Sequence, residues 1–297
     1  MSCLPPTYQN SLRIKDKLID ASKIICICGG NEIATAAALK LFSSGYNVLL
    51  LVHPDENLLR YHLCLGDAIH QGQKTVENVT AMLLPEDKLA ELTEHSYADK
   101  FLETILFLFK DRKIPIVHLS EMNIVLERLN PHIMLNTYSA QNSAVTIDHA
   151  PLVVGLYPLH QPGVQCHFSI EMRLSYYLGR IYSPNSTIPD AHSDEPFFNE
   201  PFAYCQSPIE GVWLSLKAIG DIIQYNEPIG KVEDIEIRSP YNGQIWGLTH
   251  SGKIISPKSK VALVFQGEPD EQFRYLGFRE TAIAGGVLEA VLQYERF

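Results

Sequence analysis

Apolar and polar positions first fall into a regular pattern at residues 23–55, KIICICGGNEIATAAALKLFSSGYNVLLLVHPD. The run Ile24-Ile25-Cys26-Ile27-Cys28 is unbroken and short, as expected of a strand buried on both faces. Gly29-Gly30 supplies a tight turn, and residues 32–43, rich in alanine and leucine, read as a helix. Gly45 is placed to cap that helix, and residues 46–52 (YNVLLLV) read as a second buried strand. Strand, glycine turn, helix and strand in this order form a βαβ unit. The alternation continues downstream. Phe101, Ile105, Leu108 and Phe109 share one face of a helix over 97–109; IPIVHL (114–119) is a strand, 122–129 a helix and HIMLNTY (132–138) a strand. Less regular stretches give a short helix in LRIKDKLIDASK near the N-terminus, a short helix in preference to a strand at 58–65, a turn at Gly72, and one strand in TVENVTAML. Residues 23–140 therefore predict a parallel sheet with right-handed crossovers.

The pattern changes after Ala150. PLVVGLYP (151–158) and FSIEMR (168–173) read as strands, and 183–210 as a long loop in which His192 and Asp194 are solvated. From Ile219, GDIIQYNEPIGKV and GKIISPKSKVALV repeat one plan of glycine, apolar pair, polar turn and second apolar group, with a turn at Asn242-Gly243 between them. Short strands at this spacing make a small β-sandwich or barrel. The order of phrases resembles a biotinyl/lipoyl-like barrel. The tip that would receive the cofactor is Glu233-Asp234-Ile235-Glu236, with Lys231 before it, so a structural hammerhead without biotin or lipoate is expected. Residues 279–293 form a helix in which Gly285-Gly286 permits close packing or a ligand's approach. The expected division is a Rossmann-like α/β domain over 1–150, a connecting α+β segment over 151–210, and a β-barrel with a C-terminal helix over 211–297.

Composition narrows the function classes. Hydrophobic residues at 46% and charged residues at 20% describe a globular protein. A net charge of −10 without a Lys/Arg cluster argues against nucleic acid. No apolar run reaches ~18 residues, so no membrane helix is expected, and the N-terminus lacks a signal-peptide pattern. Six scattered cysteines suit a reducing cytoplasm. Cys26 and Cys28 share a strand face, as buried structural residues or as the start of a metal site that lacks a second ligand pair. The balance is compatible with a homodimer.

The βαβ turn is the first candidate site. In a dinucleotide fingerprint, successive glycines make the turn, admit the pyrophosphate and pack helix on strand. The aligned residues here are Gly29, Asn31 and Ala34, so the middle glycine is missing. His53-Pro54 stands where an acidic residue is expected; Asp55 or Glu56 serves only if the loop bends back. A bare turn and a nucleotide-binding turn both stay open.

Five phrases in order, GGNEIATAAALKLFSSGYNV, LGDAIHQG with VENVTA, IEMRLSYYLGR, SPYNGQIWGL and AIAGGVLEA, resemble the YqeB-like accessory proteins of the selenium-dependent molybdenum hydroxylase system. The resemblance runs from about Ile24 to Ala290. It implies a Rossmann-like domain, a C-terminal barrel, and a cytoplasmic role in maturing or inserting the cofactor of a molybdenum hydroxylase client. Basic and glycine positions of the family are replaced here at the turn, at Tyr61, at Ser139-Ala140-Gln141 and at Leu174-Ser175-Tyr176. These are the residue types that hold an anionic ligand by charge or bare N–H groups. The positions left to bind a nucleotide or a molybdenum cofactor-type ligand are Gly29, Gly30, Asn31, Glu32, Thr35, Arg60, Asn142, Glu171, Arg180 and Arg279. A sulfur-transfer variant points to Cys28 beside the turn. Loss of the basic positions favours instead a partner-binding relative without a ligand. The βαβ unit alone leaves a nicotinamide-dependent oxidoreductase.

Overall fold

A computed structural model describes residues 11–14, 17–20, 24–84, 94–139, 145–189 and 201–296. Asn142, His192 and Asp194, all singled out above, lie outside the described residues. Strands β1 (Ser11–Ile14) and β2 (Lys17–Asp20) pair antiparallel, in place of the helix expected there. The reason is visible in the text: Leu12 and Ile14 alternate with Ser11 and Arg13, a period of two.

Among the described residues, nine strands make the main sheet. In chain order they are β3 (Ile24–Cys28), β4 (Asn47–Val52), β5 (Gln73–Val76), β6 (Val79–Leu83), β7 (Ile114–His118), β8 (Ile133–Asn136), β9 (Leu152–Tyr157), β10 (Phe168–Glu171) and β11 (Ile181–Tyr182). Their spatial order is β11-β10-β9-β8-β3-β4-β7-β6-β5, with only the outermost pair at each end antiparallel. Six of them, β7-β4-β3-β8-β9-β10, reproduce the order 3-2-1-4-5-6 of a doubly wound sheet, whose direction reverses between β3 and β8. Alternation along the buried strands sorts side chains to two cores. Ile25, Ile27, Val48 and Leu50 face helix α1 (Glu32–Ser43). Ile24, Cys26, Leu49 and Leu51 face the helices α3 (Glu94–Lys110) and α4 (Met122–Leu129). Phe101, Ile105, Leu108 and Phe109 of α3 are all buried, on the face their spacing predicts.

Two local expectations are corrected. TVENVTAML is a hairpin, β5–β6, because Glu77 and Asn78 take positive φ (46° and 67°) and turn the chain. Residues 58–65 hold only the single 3-10 turn Tyr61–Leu63, followed by Leu65–Asp67 and the one-turn helix α2 (Ala68–Gln71).

The C-terminal strands form two four-stranded antiparallel sheets. One is β12 (Phe202–Gln206), β19 (Lys260–Phe265), β17 (Gly243–Leu248) and β14 (Ile222–Ile223); the other is β16 (Ile235–Arg238), β15 (Pro228–Val232), β13 (Gly211–Ser215) and β18 (Ile254–Ile255). Their shared core is built on Trp213, fully buried, with its indole N–H donating to Thr249 O at 3.0 Å. A Cβ at Gly230 would lie 2.2 Å from that indole, so only glycine fits opposite it. The repeated phrases become the pairs β14–β15 and β18–β19, each a two-residue strand, a turn and a longer strand. Residues 233–234 form a hairpin tip with Glu233 at φ 51°, while Lys231 sits within β15.

The last helix, α5 (Phe278–Glu295), was expected to belong with these strands; it packs instead on α1 and on β9–β11. Ile283, Ala284, Val287 and Ala290 complete the core that Ile25 and Ile27 begin. It runs unbroken through Gly285-Gly286. A Cβ at Gly286 would meet Gly179 O at 2.2 Å, so this glycine serves close packing. No described helix is long and apolar enough to cross a membrane.

Candidate functional site

The glycine turn lies at the reversal point of the sheet, where ligands of doubly wound folds dock. Here the chain's own groups fill it. Gly29 (φ 133°) lies against Thr137, whose hydroxyl and N–H both donate to Cys28 O at 2.9 Å. Gly30 touches Gly66, and Gly66 N–H donates to Gly30 O at 3.2 Å. Gly30 N–H, the donor a phosphate would take, gives its hydrogen bond to Glu56 Oε2 at 2.9 Å. The loop after β4 does bend back, and Tyr138 O–H donates to the same oxygen at 2.7 Å. Burial pushes the Glu56 carboxyl up to about 7 against the opposing effect of those two bonds.

Asn31 explains the missing middle glycine. It caps α1 with φ −72°, its Oδ1 accepting from Ile33 N–H (3.1 Å) and Ala34 N–H (3.0 Å). A glycine there would leave both donors for a ligand. Thr35 is fully buried and accepts from Leu65 N–H at 2.9 Å, tying α1 to the 3-10 turns.

Beside this closed turn lies a cavity of about 750 Å³ between the α/β layer and the β-rich unit. The N-terminal ends of α1 and α5 both open onto it, and Asn31, Glu32, Arg60 and Arg279 line it. Four of the positions named from sequence thus meet in one place. Arg60 is 8% exposed; its guanidinium donates to Tyr275 O at 2.9 Å and stands 3.9 Å from Glu280. Its Nε is buried with no partner among the described residues. Glu280 reaches back to Gly277 N–H at 2.9 Å and caps α5. Burial raises the Glu32 carboxyl, with Arg60 opposing. Arg279 donates to Met172 O at 3.2 Å. Across the cavity Lys260, at the start of β19, lies 3.6 Å over the Tyr204 ring. Partial burial holds its pKa low, with the nearby Arg279 charge adding to the effect. Neither Lys260 nor Arg279 forms an ion pair among the described residues.

Glu171 and Arg180 sit elsewhere, near the β10–β11 edge. Glu171 is fully buried in a two-pronged pair with Arg173 (2.9 and 2.6 Å), and Tyr182 O–H donates to it at 3.2 Å. Arg180 stacks on Tyr177. Cys28, the sulfur-transfer candidate, is fully buried beneath the turn beside Cys26. No group of three or more His, Cys, Asp or Glu side chains is placed to hold a metal among the described residues.

Sequence reading missed Lys260 and a second junction. Asp67 is fully buried and accepts from His250 Nε2 (2.6 Å) and Lys74 Nζ (2.8 Å). His250 in turn stacks on Tyr61, ring centroids 4.0 Å apart. Burial alone would raise the Asp67 pKa, but the bonds from His250 and Lys74 outweigh it and hold it below the usual value. Both Lys260 and His250 become visible only when the β-rich unit is docked. No spacing in the chain announces them.

Comparison with known proteins follows from this geometry. No protein-family model matches the chain. The uncharacterized protein YqeB of Escherichia coli (strain K12) is 26% identical over 291 residues, covering 95% of this chain and 49% of the relative. Over nearly its whole length the chain is similar to YqeB. The likeness to YqeB read from the five phrases is thereby borne out, as that of a divergent relative. The chain spans about half the length of the YqeB relative it matches. Among solved structures, an aspartoacylase family protein from Mesorhizobium loti gives a TM-score of 0.23 at 11% identity, over 82% of this chain and 84% of that one. A succinylglutamate desuccinylase/aspartoacylase from Rhodobacter sphaeroides gives 0.20 at 14% identity, over 48% and 60%. Superpositions this loose carry no argument.

Proposed function

We propose that this chain is a cytoplasmic accessory protein in the maturation of a selenium-dependent molybdenum hydroxylase, and that it holds an anionic cofactor or nucleotide in the cavity between its two units. The observation that carries the binding half is the pairing of Arg279 and Lys260. These two cations line one cavity, and neither forms an ion pair among the described residues, although Glu32 also feels the Arg279 charge. Like charges are held together at a cost that a bound anion removes. The maturation half rests on the likeness to YqeB and on the family resemblance.

The ligand position moves accordingly from the Gly29-Gly30 turn to the neighbouring cavity. The occupied N–H donors of Gly30, Ile33 and Ala34 weigh against a nicotinamide oxidoreductase. We read the paired sheets as a hammerhead barrel fused to a Rossmann-like domain, in support of which the two halves of the repeat take equivalent places in the two sheets. The partner-binding alternative is favoured by one feature, the exposed rings of Tyr275 and Phe278 at the cavity mouth.

The maturation role is tested in cells that make a molybdenum hydroxylase with and without this chain. Lower molybdenum and cofactor content of the purified hydroxylase without it is the expected result. Equal content would sink the role.

A further inference from the structure

We infer that His70 and His250 form a two-imidazole site for a divalent transition metal at the junction of the two units, separate from the cavity. His250 stands just after β17 in the β-rich unit and is held in one orientation. Its Nε2–H donates to Asp67 Oδ1 at 2.6 Å, and its ring stacks on Tyr61 with centroids 4.0 Å apart. Asp67 is fully buried, and its other oxygen accepts from Lys74 and Gln71. A carboxylate acceptor fixes the His250 proton on Nε2 and leaves the lone pair on Nδ1. That nitrogen has no hydrogen-bond partner among the described residues. Metal-ligating histidines adopt this arrangement: the hydrogen on the second nitrogen goes to a carboxylate, which sets the tautomer and raises the basicity of the ligand.

The second imidazole comes from the α/β side. His70 lies in α2, its ring centroid 5.6 Å from that of His250 and the two planes 73° apart. Two imidazoles on one metal, at about 2.0–2.1 Å per bond, place their centroids roughly 5 Å apart. His70 is exposed, so a small turn of its ring closes the difference. Its ring nitrogens have no hydrogen-bond partner among the described residues. Two ammonium groups are near, and both are engaged: Lys74 pairs with Asp67, and Lys253 donates to Glu56 O. The Asp55 carboxylate acts on His70 against the Lys253 charge. No third side-chain ligand joins the pair among the described residues, so water completes the shell and the metal exchanges. Imidazole ligands with open positions favour copper(II) over nickel(II) and zinc. Because the two rings belong to different units, a bound metal ties the β-rich unit to the α/β layer.

The test is calorimetric titration of the full chain with copper(II), nickel(II) and zinc chlorides at pH 7.5, with electron paramagnetic resonance of the copper(II) form. Copper(II) is expected to bind tightest, and its spectrum to carry splitting from two imidazole nitrogens. His70→Gln and His250→Gln should each weaken it by about 10-fold or more, and Asp67→Asn, which removes the anionic acceptor, by about 10–100-fold. His132→Gln, beside Tyr294 of α5, should leave binding unchanged. Circular dichroism melts confirm that the variants fold, and copper(II) should raise the Tm of the parent but not of His70→Gln. Binding indifferent to both histidine variants marks an adventitious ion only and overturns the site. Loss on His250→Gln with His70→Gln unchanged reduces it to a single surface ligand and overturns the bridge. No saturable binding of any of the three metals overturns the inference outright.

Discussion

Glu56→Gln should stabilise this protein at pH 8 and do little at pH 5. The carboxyl takes a donor bond from Gly30 N–H and another from Tyr138 O–H, and a glutamine carbonyl oxygen can accept both. What the substitution removes is the charge. Burial lifts the Glu56 pKa from an ordinary 4.5 to about 7. The folded state therefore holds a proton that the unfolded chain has already released between those values, and stability falls as pH rises from about 4.5 to 7. The full gap corresponds to roughly 3 kcal/mol, and water reaching a half-buried side chain reduces it to about 2. Urea unfolding of both proteins at pH 5 and pH 8 measures the difference directly. Equal offsets at the two pH values, or a variant less stable than the parent at pH 8, would show that Glu56 is not held against its charge by the turn.

Three other substitutions probe the remaining joints. Asp67→Ala strands Lys74 and His250 at the junction of the two units and should cost about 3–5 kcal/mol in chemical unfolding; a loss below about 1 would mean that the junction is open to water. Because its pKa lies below the usual value, the Asp67 contribution is present above the ordinary carboxylate range and fades as pH falls through the folded-state value. Gly30→Ala places a Cβ 2.8 Å from Gly66 Cα, backbone that cannot swing aside, and is expected to lower stability by about 1–3 kcal/mol; an unchanged melting curve refutes the tight contact. Asn31→Ala frees Ile33 and Ala34 N–H at the start of α1 and should cost about 0.5–2 kcal/mol, whereas a neutral result would place the cap elsewhere.

The sheet was legible because strands buried on both faces leave continuous apolar runs, as in IICIC and NVLLLV, and because α3 shows one apolar stripe. Hairpins were harder: the Glu77-Asn78 turn carries no glycine, so VENVTAML reads as one strand. Part of the cavity could also be named in advance. Asn31, Glu32, Arg60 and Arg279 were marked by residue type against a family pattern. The Asp67–His250 pair could not be, since its contact spans 183 residues, and Lys260 could not be, since its place depends on how two units dock. Glu56 stood between the two cases. Its acidity was noticed, but the bend that brings it to Gly30 is fixed by Tyr138, on the far side of the reversal point.

The return of α5 to α1 has a consequence for the timing of synthesis. The βαβ unit leaves the ribosome before the β-rich unit, yet the face of α1 that receives Ile283, Val287 and Ala290 stays uncovered until α5 is made. At ordinary translation rates, about 5–20 residues per second, that wait is on the order of 10–50 s. Through it the nascent chain carries an alanine-rich helix face exposed to whatever else is present, and the β-rich unit, complete in itself, finishes first. The α/β unit, begun before the β-rich unit, closes after it.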